Sequence, residues 1–292
     1  MVRNIIWDWN GTILDDTQIC YEIANLMLRK RGLREIPSFD EYRGLFRFPV
    51  IDYYYETGYT FEDETYEEVA DEFLELYRQK LPGCSLKDGI RETIAELDRM
   101  GMTQILLSTT GQQTLEGQLV MFRMDGLFRD VLGQQDDLAY GKAKKAEQYF
   151  LQEGFDRKET VFIGDTDHDF EVASSLGCGC ILIDTGNQTR EVLLKCGVPV
   201  VHSLREIPGL IRRMNGESET GTDGPRPGKY RHFKGNCYEL LYTAKHSETM
   251  EDMVVYRALY GEHGIWVRPL RMWDETVEFE GKKVRRFTYL EE

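Results

Sequence analysis

Short apolar runs separated by helix-like segments occupy most of the first 200 residues of this 292-residue chain. The runs have three or four residues each, are mostly rich in Ile, Val and Leu, and cover residues 4–7, 104–107, 161–163, 180–183 and 198–201. Strands of a parallel sheet have this composition because helices cover both of their faces. The alternation of such runs with amphipathic segments predicts an α/β fold with a Rossmann-like parallel sheet core.

Residues 16–85 interrupt this alternation. They contain no clear strand, and their apolar side chains recur at helical spacing. We predict that they form a helical cap inserted after the first strand, with Asp15 and Asp16 capping its first helix. The α/β core then consists of residues 1–15 and 86–214.

The end of the chain has a different composition. Residues 215–227 are dense in Gly, Ser, Thr and Pro, so we predict a linker there. Residues 228–292 contain short strand-like runs between turn residues, which predict a small mainly-β C-terminal domain.

The charge balance excludes several functions. Lys and Arg number 36 and Asp and Glu number 51, so the formal net charge is −15 at pH 7. This charge argues against a nucleic-acid partner or an anionic membrane partner, because both are bound mainly through cationic side chains. We find no run of about 20 apolar residues and no secretory signal, and we interpret the six scattered cysteines as reduced thiols. These features predict a cytoplasmic protein.

Three apolar runs lead directly into side chains that can bind a ligand, namely Asp8, Ser108 and, after Gly164, Asp165. Ligands of open parallel sheets bind at the carboxyl ends of the strands. Each of these residues taken alone is as readily explained as the start of a loop or the cap of a helix. Taken together, they predict a site at one edge of the sheet.

The same residues lie in four motifs that resemble those of the haloacid dehalogenase superfamily of hydrolases. In chain order the motifs are residues 8–12, Ser108, Lys142 (within 140–142) and residues 164–169. The similarity extends from residue 1 to about residue 214, and the position of the cap resembles the phosphoglycolate phosphatase-like branch. The resemblance implies an enzyme that hydrolyses phosphoric monoesters of small metabolites.

The resemblance also implies roles for individual residues. Asp8 would attack phosphorus and form an aspartyl-phosphate, a step that needs a cation because carboxylate and phosphate repel each other. Magnesium (Mg²⁺) would be held by Asp8, Asp165 and Asp169 with the backbone carbonyl of Asn10. The catalytic residues would be Asp8, Asn10, Ser108 and Lys142. The phosphate-binding residues would be Asn10, Gly11, Ser108, Thr109 and Lys142.

Position 10 departs from the family motif, which normally has a second Asp where this chain has Asn10. That Asp acts as general acid and base, whereas an amide cannot exchange a proton near neutral pH. Three interpretations remain open. In the first, the enzyme still turns over, because another group or water serves as the acid or because the leaving group needs no protonation. In the second, the aspartyl-phosphate forms but is hydrolysed slowly. In the third, the protein is a catalytically weakened sensor that binds a phosphorylated ligand and has a C-terminal interaction module.

Two further predictions concern the cap and the tail. Arg43 and Arg47 are candidate residues for substrate specificity, with a solvated helix end as the alternative. Residues 228–292 resemble the DUF1653 family, which supplies no mechanism. The aromatic and Arg residues there suit either the core of a small domain or a surface for a protein partner.

Overall fold

The computed structural model describes residues 1–134, 142–216, 225, 227–249, 251–273, 275–279 and 281–290. The chain divides into two compact units, Met1–Ser218 and Glu219–Glu292. Tyr140 and Gly141 of the third motif, and most of the predicted linker 215–227, lie outside the described residues. The predicted domain boundaries therefore stay a prediction.

The first unit contains eight strands and ten α-helices among its described residues. The strands are β1 (Asn4–Trp7), β2 (Leu14–Asp15), β3 (Ser85–Leu86), β4 (Thr103–Gly111), β5 (Asp130–Gln134), β6 (Thr160–Gly164), β7 (Gly179–Ile183) and β8 (Val200–Val201). The helices are α1 (Thr17–Lys30), α2 (Phe39–Leu45), α3 (Val50–Glu56), α4 (Tyr66–Lys80), α5 (Ile90–Arg99), α6 (Gln112–Met121), α7 (Lys142–Glu153), α8 (Asp167–Leu176), α9 (Arg190–Leu194) and α10 (Ile207–Met214).

Six of these strands form one parallel sheet in the order β5-β4-β1-β6-β7-β8. Strands β1 and β6 are buried along their whole length, in agreement with their apolar composition. The α/β prediction is confirmed, and each of the five predicted runs contributes a strand. The last run shortens to Val200–Val201 because Pro199 has no N–H to donate to the sheet.

A short two-stranded antiparallel ribbon, formed by β2 and β3, connects the helical segment α1–α4 to the rest of the first unit. Strand β2 pairs antiparallel with β3, so that Leu14 lies opposite Leu86 and Asp15 opposite Ser85. Between them, the described residues form helices but no strand, as predicted. The buried side chains of these helices belong to the same apolar cluster as one face of the sheet. This arrangement places α1–α4 shortly after Asp8, which follows β1.

The second unit is a separate antiparallel structure. Its elements are β9 (Gly228–His232), β10 (Cys237–Lys245), β11 (Asp252–Ala258), β12 (Ile265–Pro269), α11 (Leu270–Trp273), β13 (Thr276–Phe279), β14 (Lys282–Arg285) and β15 (Phe287–Tyr289). Five strands form a sheet in the order β12-β11-β10-β9-β15, and β13 pairs with β14. The rings of Trp273 and Phe287 stack 3.8 Å apart in its core. The prediction of a mainly-β C-terminal region is confirmed.

Within the described parts of both units, no helix combines the length and the apolar composition that crossing a membrane requires.

Candidate active site

The parallel pairing brings the ends of three strands to the same edge of the sheet. Trp7 lies opposite Leu106 on one side and Ile163 on the other, so the residues that follow them are neighbours. Asp8 and Asp165 are buried there. Ser108 is also buried, but it lies within β4, which continues with an irregular register to Gly111.

Three carboxylates gather at this edge. Oxygen atoms of Asp8, Asp165 and Asp169 all lie within 4.8 Å of one another. The ammonium of Lys142 lies 2.5 Å from Oδ1 of Asp8 and 2.7 Å from Oδ1 of Asp169. Four of the residues singled out from the sequence therefore meet in one buried cluster, which holds more negative than positive charge.

The pKa values of the cluster reflect first its burial and then the charges of its members. Burial raises the pKa of Asp8 to about 7, although the attraction of Lys142 opposes the shift. Burial and the neighbouring Asp8 and Asp169 carboxylates raise the pKa of Asp165 well above its usual range. Burial opposes the charged forms of Asp169 and Lys142 too, but their mutual attraction lowers the pKa of Asp169 and raises that of Lys142. A bound cation would therefore stabilise the ionised cluster.

The start of α8 holds Asp169 in place. The Thr166 side chain accepts a hydrogen bond from the Asp169 backbone N–H, and Oδ2 of Asp169 accepts one from the Thr166 N–H at 3.0 Å. The backbone N–H of Asp165 donates to the same oxygen at 3.1 Å. This capping box occupies one carboxylate oxygen and leaves the other for Lys142.

The side chain of Asp165 is held by residues from two other loops. Its Oδ1 accepts a hydrogen bond from Oγ1 of Thr12 at 3.1 Å, and its Oδ2 accepts from the backbone N–H and Nδ2 of Asn187 at 2.5 and 3.0 Å. Asn187 is absent from the predicted site. The same strand-end rule points to it, since it follows β7 and the polar residues Asp184 and Thr185.

Gly11 lies against this carboxylate with a backbone φ of +75°. A Cβ atom there would collide with the Asp165 carboxylate and the Asn187 amide. Gly32 has a similar φ of +69° but nothing within 4 Å of the corresponding position. A side chain would thus be strained by the backbone conformation at both positions, but it would collide with neighbouring atoms only at Gly11.

Gly11→Ala is expected to lower the free energy of unfolding by about 3 kcal/mol, because the methyl group displaces Asp165. Gly32→Ala is the matched control and should cost only about 1 kcal/mol of backbone strain. Urea titration of both variants measures the difference. Equal effects of the two variants would contradict the close packing of Gly11 on Asp165.

The amide of Asn10 is fully engaged. Its Nδ2 donates to Oδ2 of Asp16 at 2.7 Å and to the Tyr77 hydroxyl at 2.9 Å, while its Oδ1 accepts from Oγ1 of Thr110 at 2.9 Å. The Tyr77 hydroxyl donates to the same Asp16 oxygen at 2.5 Å. This network fixes the orientation of the side chain at the position where the motif that the chain resembles has a second Asp.

Asp16 does not cap α1 as predicted. It occupies the N-cap position, but its side chain makes no capping hydrogen bond and instead accepts from the Gly11 N–H at 2.8 Å and from the Asn10 amide. The prediction of its role was wrong, because the carboxylate accepts hydrogen bonds from residues 10 and 11 and not from the first turn of α1. Burial raises the pKa of Asp16, although hydrogen bonds from Tyr77 and Asn10 oppose the shift.

A cavity of about 240 Å³ adjoins the cluster. Asp8, Asn10, Thr109, Lys142 and Asp165 line it together with side chains from α1–α4. Ser108 is covered, and its Oγ accepts a hydrogen bond from the Thr110 backbone N–H at 3.1 Å.

Arg43 and Arg47 do not line this cavity. The Arg43 guanidinium donates to the backbone carbonyls of Gly186 and Gln188 at 2.7 Å each, and to that of Asp184. Arg43 thereby attaches α2 to the loop that carries Asn187. The Arg47 guanidinium contacts Glu56 at the surface instead. A role of either residue in specificity stays a prediction.

Arg43→Ala is expected to lower the free energy of unfolding by about 2 kcal/mol, because it leaves carbonyls of the 184–188 loop without their charged donor. Arg47→Ala is the matched control and should cost less than about 1 kcal/mol, since its ion pair is exposed. Urea titration of both variants measures the difference. A larger loss in Arg47→Ala would contradict the attachment assigned to Arg43.

Comparison with known proteins decides the family. The model for haloacid dehalogenase-like hydrolases matches residues 5–183, more than half of the chain. The chain belongs to the haloacid dehalogenase-like hydrolase family. The resemblance noted in its motifs is thus confirmed, and with it the expectation of a hydrolase. A second model, "Protein of unknown function (DUF1653)", matches residues 228–289 and confirms the resemblance of the tail.

Individual relatives are distant. Phosphoglycolate phosphatase from Pseudomonas savastanoi pv. phaseolicola is 24% identical over 219 residues, which are 71% of this chain and 79% of the relative. A haloacid dehalogenase-like family hydrolase from Streptococcus pneumoniae superposes with a TM-score of 0.61 at 18% identity, covering 72% of this chain and 98% of that one. CbbY from Rhodobacter sphaeroides, solved in complex with phosphate, gives a TM-score of 0.56 at 17% identity over 71% of this chain and 96% of its own. These structures establish the shared fold.

Proposed function

We propose that this hydrolase is a Mg²⁺-dependent phosphatase that acts on a small phosphorylated metabolite through an aspartyl-phosphate on Asp8. The observation that carries the proposal is the buried cluster of three carboxylates within 4.8 Å beside one ammonium group. The relative from Pseudomonas savastanoi, a phosphoglycolate phosphatase, supports the same reaction class.

The donor set fits magnesium. Asp8, Asp165 and Asp169 supply buried oxygen ligands, and burial together with the nearby Asp8 and Asp169 carboxylates raises the pKa of Asp165. Hard divalent cations prefer such oxygen ligands, with waters and phosphate oxygens completing the shell. These three residues and the Asn10 backbone carbonyl would hold the ion. Bound there, it would neutralise charge on the phosphoryl oxygens.

The chain's own residues account for the two chemical steps. An Asp8 oxygen attacks phosphorus, the new O–P bond forms, and the ester O–P bond breaks so that the alcohol oxygen leaves with the bonding electrons. A water molecule then attacks the same phosphorus and loses a proton to solvent, while the Asp8 O–P bond breaks with its electrons returning to the carboxylate. This step releases inorganic phosphate. Lys142 orients Asp8 and, with Thr109 on the cavity wall, would offer donors to the phosphoryl oxygens. The role of Ser108 in phosphate binding stays a prediction, because its side chain is covered.

The hydrogen bonds of Asn10 limit the proton transfer available to the leaving group of the substrate. Both N–H bonds of the Asn10 amide are already donated to Asp16 and Tyr77, and the amide carries no transferable proton. The leaving oxygen must then take its proton from water or depart as a stable anion. We therefore expect esters with easily expelled leaving groups to react fastest.

Phosphate release from acetyl phosphate and from p-nitrophenyl phosphate tests this function. Both should be hydrolysed in Mg²⁺, lose at least about 90% of the rate with a chelator, and recover when Mg²⁺ is restored. The kcat/KM for acetyl phosphate should exceed that for an alkyl phosphate. Turnover that survives chelation, or no turnover of either compound, would refute the proposal.

A further inference from the structure

The cavity beside the acidic cluster has mostly apolar walls. The helical segment lines it with Met27, Tyr42, Phe46, Phe48, Val50 and Phe73, among others. Residues with carboxylates, namely Asp8, Asp16, Asp165 and Asp169, supply the negative charge of its lining. A molecule that fills the cavity thus meets a phosphate-binding cluster and an apolar wall.

The cationic side chains of the described lining are already engaged. They are Lys142, Arg78 and, when protonated, His168. Lys142 bonds two carboxylates, and Arg78 is 53% exposed and lies 3.7 Å from Glu75. The His168 ring stacks on Phe48 with centroids 4.6 Å apart. A second anionic group on a substrate, such as a carboxylate, would therefore lose its hydration without gaining a free cationic partner among these side chains, at a large cost in free energy.

One polar atom of the wall has no partner. The hydroxyl oxygen of Tyr53 is buried and has no hydrogen-bond partner among the described residues, and Tyr53 lines the cavity. The Tyr53 side chain is otherwise surrounded by the rings of Tyr42, Phe46 and Tyr54. A buried hydroxyl without a partner is costly, so a ligand that offers one polar group to it gains affinity.

We propose that the substrate is a phosphate monoester of an apolar, aromatic alcohol that carries one hydrogen-bonding group for Tyr53, and not an ester that carries a second anionic group. This inference rests on the proposed phosphatase function, because it assigns the part of the substrate beyond the phosphoryl group. The apolar wall receives the ring, and the acidic cluster with its cation receives the phosphate.

Binding of phosphonates tests the substrate class without turnover, which matters because Asn10 makes rates depend on the leaving group. Calorimetry in Mg²⁺ compares benzylphosphonate with phosphonoacetate, whose carboxylate replaces the ring. Benzylphosphonate should bind about tenfold tighter or better. Equal or tighter binding of phosphonoacetate, or no binding of either compound, would overturn the inference.

Two variants on α4 show whether the cavity is responsible. Ala70 lines the cavity, and Ala70→Phe should lower the preference for benzylphosphonate by about tenfold because the new ring fills the space. Asp71 is exposed on the same helix, and Asp71→Phe should leave the preference unchanged. An unchanged preference in Ala70→Phe, with binding intact, would exclude this cavity as the site.

Ring-hydroxylated benzylphosphonates test the contact with Tyr53. One of the ortho, meta and para isomers should bind about fivefold tighter than benzylphosphonate, and Tyr53→Phe should remove that gain while binding of benzylphosphonate persists. If no isomer gains, the assigned hydrogen bond is wrong. Acetyl phosphate turnover, measured in parallel, reports the reaction itself, so a failure of the phosphatase function is distinguishable from a failure of the substrate class.

Discussion

Asp8→Asn should abolish phosphate release from every substrate, with a loss of kcat on the order of 10⁴-fold or more. The amide oxygen is a far weaker nucleophile than the carboxylate, and no other carboxylate takes its position, since Asp165 and Asp169 are each held by several hydrogen bonds. The measurement is single-turnover phosphate release in saturating Mg²⁺. Residual turnover above about 1% of wild type would refute Asp8 as the nucleophile.

Stability separates this loss from misfolding. Burial and nearby negative charge raise the pKa of Asp8 to about 7, so removing its charge relieves repulsion in the cluster. The metal-free Asp8→Asn protein should therefore melt at least as high as the wild type. Asp125→Asn is the matched control, since Asp125 is exposed and distant from the site in the sequence. It should leave both activity and melting temperature unchanged.

Asn10→Asp should raise kcat by about 100-fold for an alkyl phosphate, because it restores a group able to donate and accept a proton. The new carboxyl would lie beside Oδ2 of Asp16, where the Asn10 amide now lies at 2.7 Å. Two carboxyls at that distance cannot both ionise readily, so one of them keeps a proton for the leaving oxygen. The gain should be smaller for acetyl phosphate, whose leaving group departs without help.

Asn10→Ala is the control for this gain. It removes the contacts with Asp16 and Tyr77 without supplying an acid, so its turnover should not exceed that of the wild type. A similar rise in both variants would contradict acid–base catalysis at position 10. Peptide mass analysis of the wild type is needed alongside, because an Asn-Gly pair deamidates and traces of aspartate at position 10 would imitate the variant.

The sequence predicted best those elements whose composition is set by a single physical requirement, such as burial on both faces. Strands covered on both faces must be apolar, so the central strands β1, β6 and β7 were predictable from composition. Strand β5 was not, because it lies at the sheet edge with a half-buried, mixed sequence. The convergence of Asp8 and Asp165 was likewise predictable from parallel pairing, whereas that of Lys142, which begins α7, was predictable only from the family motifs.

The supporting contacts could not be read from the sequence. Tyr77 is one of several apolar-face residues of α4, and only the packing of that helix brings its hydroxyl to Asp16. The sequence around Arg43 does not distinguish it from a solvated arginine. In the structure its guanidinium donates to backbone carbonyls about 140 residues away along the chain. Such contacts depend on the angle between helices and sheet, which a local pattern of side chains does not encode.

The placement of Tyr77 has a consequence for the timing of the reaction. Its hydroxyl belongs to α4, whereas Asn10 lies in the loop after β1 and Asp16 lies between β2 and α1. Any swing of α4 that admits substrate or frees product must first break these two hydrogen bonds. The same swing would release the Asn10 side chain from Tyr77, so a displaced α4 and a fully held amide at position 10 exclude each other.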